Sequence, residues 1–179
     1  MLALVAAARE GRLSADPVVV ASNRADAAGL ARAEALGVPT FVLSDRDFPA
    51  RETFDAALAD RLAAHGVELV ALAGFMRVLS PVFLDRFPGR VANVHPALLP
   101  SFPGLHAQRQ ALRHGVKVTG CTVHLVDRGT DTGPVLAQVA VPVLPGDTED
   151  SLSARILVEE NRLYPQALQE LILRLRGGG

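Results

Sequence analysis

Short runs of β-branched and aliphatic residues alternate with longer helical segments through the first two-thirds of the chain. Pro17-Val18-Val19-Val20-Ala21, Thr40-Phe41-Val42-Leu43, Glu68 to Ala73 and Arg90 to His95 each read as a strand. Such continuous apolar runs, without alternation, suit strands covered on both faces, as in a parallel sheet. Between them lie helices over Leu2 to Arg9, Asp26 to Leu36 and Glu52 to His65, with Gly11, Gly37 and Gly66 placed to end them. Ser80-Pro81 reads as an N-cap followed by proline at the first helical position, opening a short helix to Phe87. The predicted fold class is α/β: an open, mostly parallel, twisted sheet with flanking helices.

The grammar changes after the helix at Ala107 to Arg113. Val118 to Val126 and Val135 to Val143 read as a pair of strands with no helix between them. A long helical region follows Thr148, and Pro165 is expected to break or kink it. Gly177-Gly178-Gly179 is expected to fray. The 179 residues fit one domain, 1–179.

Charge and composition narrow the function. The net charge of −1 and the single lysine, Lys117, leave no basic field for nucleic acid. No apolar run approaches the length of a membrane span and the start has no leader pattern, so the expected location is cytoplasmic. Cys121 is the only cysteine, which excludes an internal disulfide and reads as a sheet residue. No metal-ligand spacing appears among the five histidines and one cysteine.

Ligands of open parallel sheets bind beyond the carboxyl ends of the strands. At the end of the fourth strand, Asn93 and His95 are two residues apart, so they point to one side, about 6–7 Å apart. An Asn amide in a buried strand needs partners that a core does not provide. Taken alone, the pair serves equally as a turn cap beside a satisfied core histidine. Asp127 to Pro134 holds two aspartates among turn residues, and alone reads as a solvated loop. Together, Asn, His and Asp suggest addition to a carbonyl. An amide can donate to a developing oxyanion, a histidine can exchange a proton near neutral pH, and a carboxylate can orient the ring. No Ser or Cys is arranged as a nucleophile with them, which leaves that part to a substrate.

Longer motifs carry a resemblance. Val70-Ala71-Leu72-Ala73-Gly74-Phe75-Met76-Arg77-Val78-Leu79-Ser80, Asn93-Val94-His95-Pro96-Ala97-Leu98-Leu99-Pro100, Pro103-Gly104-Leu105-His106 and His124 to Val135 resemble segments of the glycinamide ribonucleotide formyltransferases. Ser22 to Asp26 and Tyr164-Pro165 are similar too, so the match covers essentially the whole chain. The resemblance implies a Rossmann-like formyltransferase fold. It implies transfer of a formyl group from 10-formyltetrahydrofolate, the co-substrate, to the amine of glycinamide ribonucleotide in purine synthesis, with no metal and no covalent enzyme intermediate. It places Asn93, His95 and Asp131 on the catalytic triad: Asn93 and a protonated His95 stabilise the oxyanion, and Asp131 keeps His95 charged. It assigns folate contacts to Phe75, Met76, Arg77, Val78, Leu79, Val91, Asn93, Val126, Asp127 and Asp131, with backbone groups of Arg77 and Leu79 reading the pterin, and a ribonucleotide contact to Glu160. The partners implied are these small molecules, with homodimerisation left open.

The chain departs from that family at its start. Met1-Leu2-Ala3-Leu4 aligns just after the family's first strand and Gly/Ser/Asn-rich phosphate loop. The expectation is that Met1 is not the native start and that a longer polypeptide carries the segment. The family's last strands are also missing. Three rivals follow: a non-catalytic folate-binding remnant; a sibling enzyme such as methionyl-tRNA formyltransferase or 10-formyltetrahydrofolate deformylase; and an α/β nucleotide-binding domain without formyl chemistry.

Overall fold

The computed structural model describes residues 1–177. Six helices and six strands run in the order α1 (Leu2–Arg9), β1 (Val20–Ser22), α2 (Ala28–Ala35), β2 (Thr40–Val42), α3 (Arg51–Ala64), β3 (Val70–Leu72), α4 (Pro81–Leu84), β4 (Val91–His95), α5 (Ala107–His114), β5 (Val118–Leu125), β6 (Val135–Pro142) and α6 (Glu149–Gly177). A short 3-10 turn, Asp45–Asp47, follows β2. Gly177 closes α6, and the other two glycines of the expected fraying end, Gly178 and Gly179, lie outside the described residues.

The strands form two sheets. β1 and β2 pair in parallel. β3, β4, β5 and β6 form the second sheet in that order, with β3–β4 parallel and the last two pairings antiparallel. Both parallel pairings join strands with a helix between them, whereas β5 runs antiparallel to both its neighbours, β4 across α5 and β6 through a direct connection.

Alternation along β4 sets the layers. Val91 faces a core built from α3 and α4, with Phe54, Leu58, Leu62 and Phe83. Ala92 faces the opposite core, where Leu152, Ile156, Leu168 and Ile172 of α6 pack on Cys121 and Val123 of β5. Burial there pushes the Cys121 thiol up to about 12, so it stays neutral and apolar.

Two local expectations are corrected. Pro165 does not break the last helix: α6 runs unbroken through it. Proline removes one intrahelical donor, but Leu163, Tyr164, Ala167 and Leu168 around it are all buried, and that packing holds the helix in one piece. Tyr164 also ties the helix to the sheet, its hydroxyl lying 3.0 Å from the Leu72 carbonyl and 2.9 Å from that of Ala92. Ser80 occupies the N-cap position of α4, yet its hydroxyl makes no cap bond. Its own N–H instead donates to the buried carboxylate of Asp55 on α3, at 2.6 Å.

Candidate active site

The polar residues of β4 and β5 share one face because the antiparallel register sets them opposite each other: Asn93 pairs with His124, and His95 with Thr122. Asn93 and His95 stand at the carboxyl end of β4, where the strand gives way to Pro96. Beyond β5 the chain turns through Asp127 to Pro134. Asp127 shapes that turn, its Oδ1 accepting from the Gly129 N–H at 3.0 Å and the Thr132 hydroxyl at 2.7 Å. At Gly133 the turn passes so close to β5 that a Cβ would lie 1.9 Å from the Leu125 carbonyl oxygen. Asp131 takes a left-handed conformation, φ 56°, which Asp tolerates better than most side chains. That turn aims its carboxylate back at β4.

The outcome is a compact cluster. Asp131 Oδ2 lies 3.2 Å from His95 Nδ1 and accepts from the Gly104 N–H at 2.7 Å. His95 Nε2 donates to the Phe102 carbonyl at 2.8 Å. Both ring nitrogens therefore face oxygen atoms, which fixes the plane of the ring. The His95 side chain is 5% exposed and that of Asp131 13%, so the pair interacts with little water between.

His124 was given no role by the sequence, although it sits in a quoted motif. It is 2% exposed. Its Nδ1 donates to the Leu125 carbonyl at 2.9 Å, which leaves Nε2 as the acceptor for the Asn93 amide at 3.2 Å. Asp131 Oδ1 lies 3.5 Å from the same nitrogen. The signal that could have found it is a histidine on the same strand face as Thr122, but its partner depends on a register that no local pattern specifies.

An open cleft adjoins the cluster. Phe75, Val78, Leu79 and Val126 give it apolar walls, and Asn93, His124, Asp127, Thr130 and Asp131 give it a polar end. Arg77 also lines it. This mixture fits a flat heteroaromatic ring with a polar edge. Two residues expected at the folate do not line this cleft: Val91 is 1% exposed in the α3–α4 core, and Met76 is 74% exposed. Val91 shares the Asn93 face of β4 but lies at the opposite end of the strand, packed against α3 and α4, and Met76 points outward from the loop after β3. Glu160 does not join the cluster either. It lines a separate cavity with Leu4, Gly74, Val94 and Tyr164, and burial there raises its carboxyl above the ordinary range.

Comparison with known proteins supplies the family. The formyl transferase family matches residues 1–168. The chain is 53% identical over 161 residues to the phosphoribosylglycinamide formyltransferase of Mycobacterium tuberculosis, covering 90% of this chain and 74% of that protein. It is 50% identical over 172 residues to the trifunctional purine biosynthetic protein adenosine-3 of Drosophila melanogaster, covering 95% of this chain but spanning only 13% of that much longer protein. The crystal structure of glycinamide ribonucleotide transformylase 1 from Symbiobacterium toebii superposes with a TM-score of 0.92 at 55% identity, over 93% of this chain and 79% of that one. On the match over residues 1–168, the identity to these relatives and the superposition, the chain belongs to the formyl transferase family, in the branch of the phosphoribosylglycinamide formyltransferases.

Proposed function

We propose that this cleft moves a formyl group from 10-formyltetrahydrofolate to the amine of glycinamide ribonucleotide, with Asn93, His95 and Asp131 as the catalytic residues. The observation that carries the reading is the His95–Asp131 contact at 3.2 Å, beside the Asn93 amide at the mouth of an apolar cleft. The donor supplies the electrophilic carbon when bound, and the substrate amine supplies the nucleophile.

The chain's residues handle charge and protons. Asn93 uses one amide hydrogen on His124, which fixes the amide plane and leaves the second for the oxygen on which charge develops. His95 held doubly protonated adds a second, charged donor once it leaves the Phe102 carbonyl. Asp131 keeps the ring oriented and its positive charge balanced, and the ring can then return a proton to the departing nitrogen. Phe75, Val78, Leu79 and Val126 exclude water from one side of the donor ring, while Asp127, Asp131 and the backbone of Arg77 and Leu79 offer it polar groups. Glu160 serves the ribonucleotide from its own cavity in this reading. No described helix is long and apolar enough to cross a membrane, and a cytoplasmic location is part of the reading.

The test is product identity. Incubating the chain with both substrates should give formylated ribonucleotide by mass spectrometry, with none from His95→Ala. Formate release without transfer would mark a deformylase. Folate binding with neither product would mark a binding protein, and either result would overturn the proposal.

A further inference from the structure

The two sheets are not hydrogen-bonded to one another, yet polar groups that follow three of their strands meet. Asn23 directly follows β1, Asp45 opens the 3-10 turn after β2, and Arg77 lies in the loop after β3. Asn23 Nδ2 donates to Asp45 Oδ1 at 2.9 Å, and Arg77 Nη1 donates to Asp45 Oδ2. The Arg77 guanidinium also lies 5.1 Å from the centre of the Phe54 ring on α3, within cation–π range. Its Nε is buried without a partner, so the side chain is held by its tip rather than along its length.

An ion pair with side chains 31% and 24% exposed adds little to global stability. Its value lies in geometry. Asp45 is itself fixed by Asn23, whose amide, ahead of Arg77, holds the Asp45 carboxyl below the ordinary carboxylate range. A carboxylate so anchored sets one position for the guanidinium. The ring of Phe54 sets the second point, and two points define the path of the side chain and of the backbone it springs from. That backbone belongs to the loop from Gly74 to Leu79, whose Phe75, Arg77, Val78 and Leu79 line the cleft. Leu79 anchors the end of the loop, 3% exposed in the α3–α4 core with Phe75 packed against it, while Met76 between them is 74% exposed and the clasp on Arg77 is the polar hold on this stretch.

We infer that Asp45 is a positioning residue for the folate end of the site: by clasping Arg77 it presets the Gly74–Leu79 backbone that receives the donor's ring. This rests on the functional reading above and adds to it a residue remote in sequence, on the other sheet. The clasp is directed at one substrate: Asp45 touches neither the His95–Asp131 cluster nor the Glu160 cavity, and of the loop it presets only the first residue, Gly74, borders that cavity.

The experiment measures tetrahydrofolate affinity by titration calorimetry, with KM for both substrates, kcat and thermal midpoint, for wild type, Asp45→Asn, Arg77→Ala and the double variant. Asp45→Asn should weaken tetrahydrofolate by about tenfold, which is ~1.4 kcal/mol, and raise KM for the formyl donor in step. KM for the ribonucleotide, kcat and the thermal midpoint should stay near wild type. In the Arg77→Ala background the Asp45 substitution should cost nothing further. Unchanged tetrahydrofolate affinity in Asp45→Asn, additive losses in the double variant, or equal loss of both substrates with a lowered midpoint would each overturn the inference. Wild type that fails to bind tetrahydrofolate would overturn the functional reading itself, and is distinguished from the rest by occurring without any substitution.

Discussion

The two faces of β4 and β5 are made from the same two strands and do opposite things. One face carries Ala92, Val94, Cys121 and Val123 and is packed against α6. The other carries Asn93, His95, Thr122 and His124, and each of them spends its hydrogen bonds on a neighbour in or beside the site. Thr122, for instance, donates to the Ala97 carbonyl at 2.7 Å and accepts from the Leu99 N–H at 3.0 Å, bracing the loop that brings the Phe102 carbonyl to His95. A period of two residues therefore separates folding from chemistry within one pair of strands. Substitutions on the two faces should separate in the same way.

The largest effect is expected on the polar face. Asp131→Asn keeps the shape and loses the charge beside His95, so kcat should fall by about 10²–10⁴-fold with little change in thermal midpoint. A comparable loss of midpoint, measured by scanning calorimetry, would show that the polar face also holds the fold. On the apolar face, Ile156→Ala empties a site that is 1% exposed. It should destabilise the chain by about 2–5 kcal/mol in urea unfolding, with kcat unchanged on the folded fraction. A kcat that drops with stability would mean that the faces are coupled through the strands.

Tyr164→Phe tests the join between faces. It removes the one hydroxyl that reaches the Leu72 and Ala92 carbonyls from α6, and should cost about 1–3 kcal/mol without a shift in KM for the formyl donor. The smallest effect is expected away from both faces. Arg155 first, then the Leu144 N–H and the Ser151 hydroxyl, hold the Asp147 carboxyl well below the ordinary range. A carboxylate lowered on folding adds stability above its unfolded pKa and loses it as pH falls through the folded value. Asp147→Asn should therefore lower the midpoint near neutral pH, and the difference from wild type should shrink as pH drops below about 4. A difference that stays constant across that window would place the contribution in packing rather than charge.

Much of this was legible in the sequence, and the gaps have physical causes. The apolar runs located every strand to within a few residues, and glycines beyond the helix ends marked their stops, because burial and backbone freedom are local properties. Asn93, His95 and Asp131 were named; His95 lies against Asp131, and Asn93 is joined to Asp131 through His124. His124 was missed because its partnership with Asn93 exists only through an antiparallel register, set by distant residues. Pro165 misled because a local helix-breaking rule was outweighed by burial of the residues around it. Val91 and Met76 show the limit of a motif, which groups neighbours in sequence: Val91 is packed in the α3–α4 core and Met76 is turned to solvent. That the strands divide into two sheets, with Asp45 and Arg77 joined between them, has no signature in any single window.

The most direct test of the central claim is the single-turnover rate of formyl transfer, both substrates saturating, in wild type and in His95→Ala, with tetrahydrofolate binding checked in each. The account predicts transfer in wild type, retained folate binding in the variant, and a rate at least about 10²-fold lower. A variant that binds folate and transfers at the wild-type rate would contradict it.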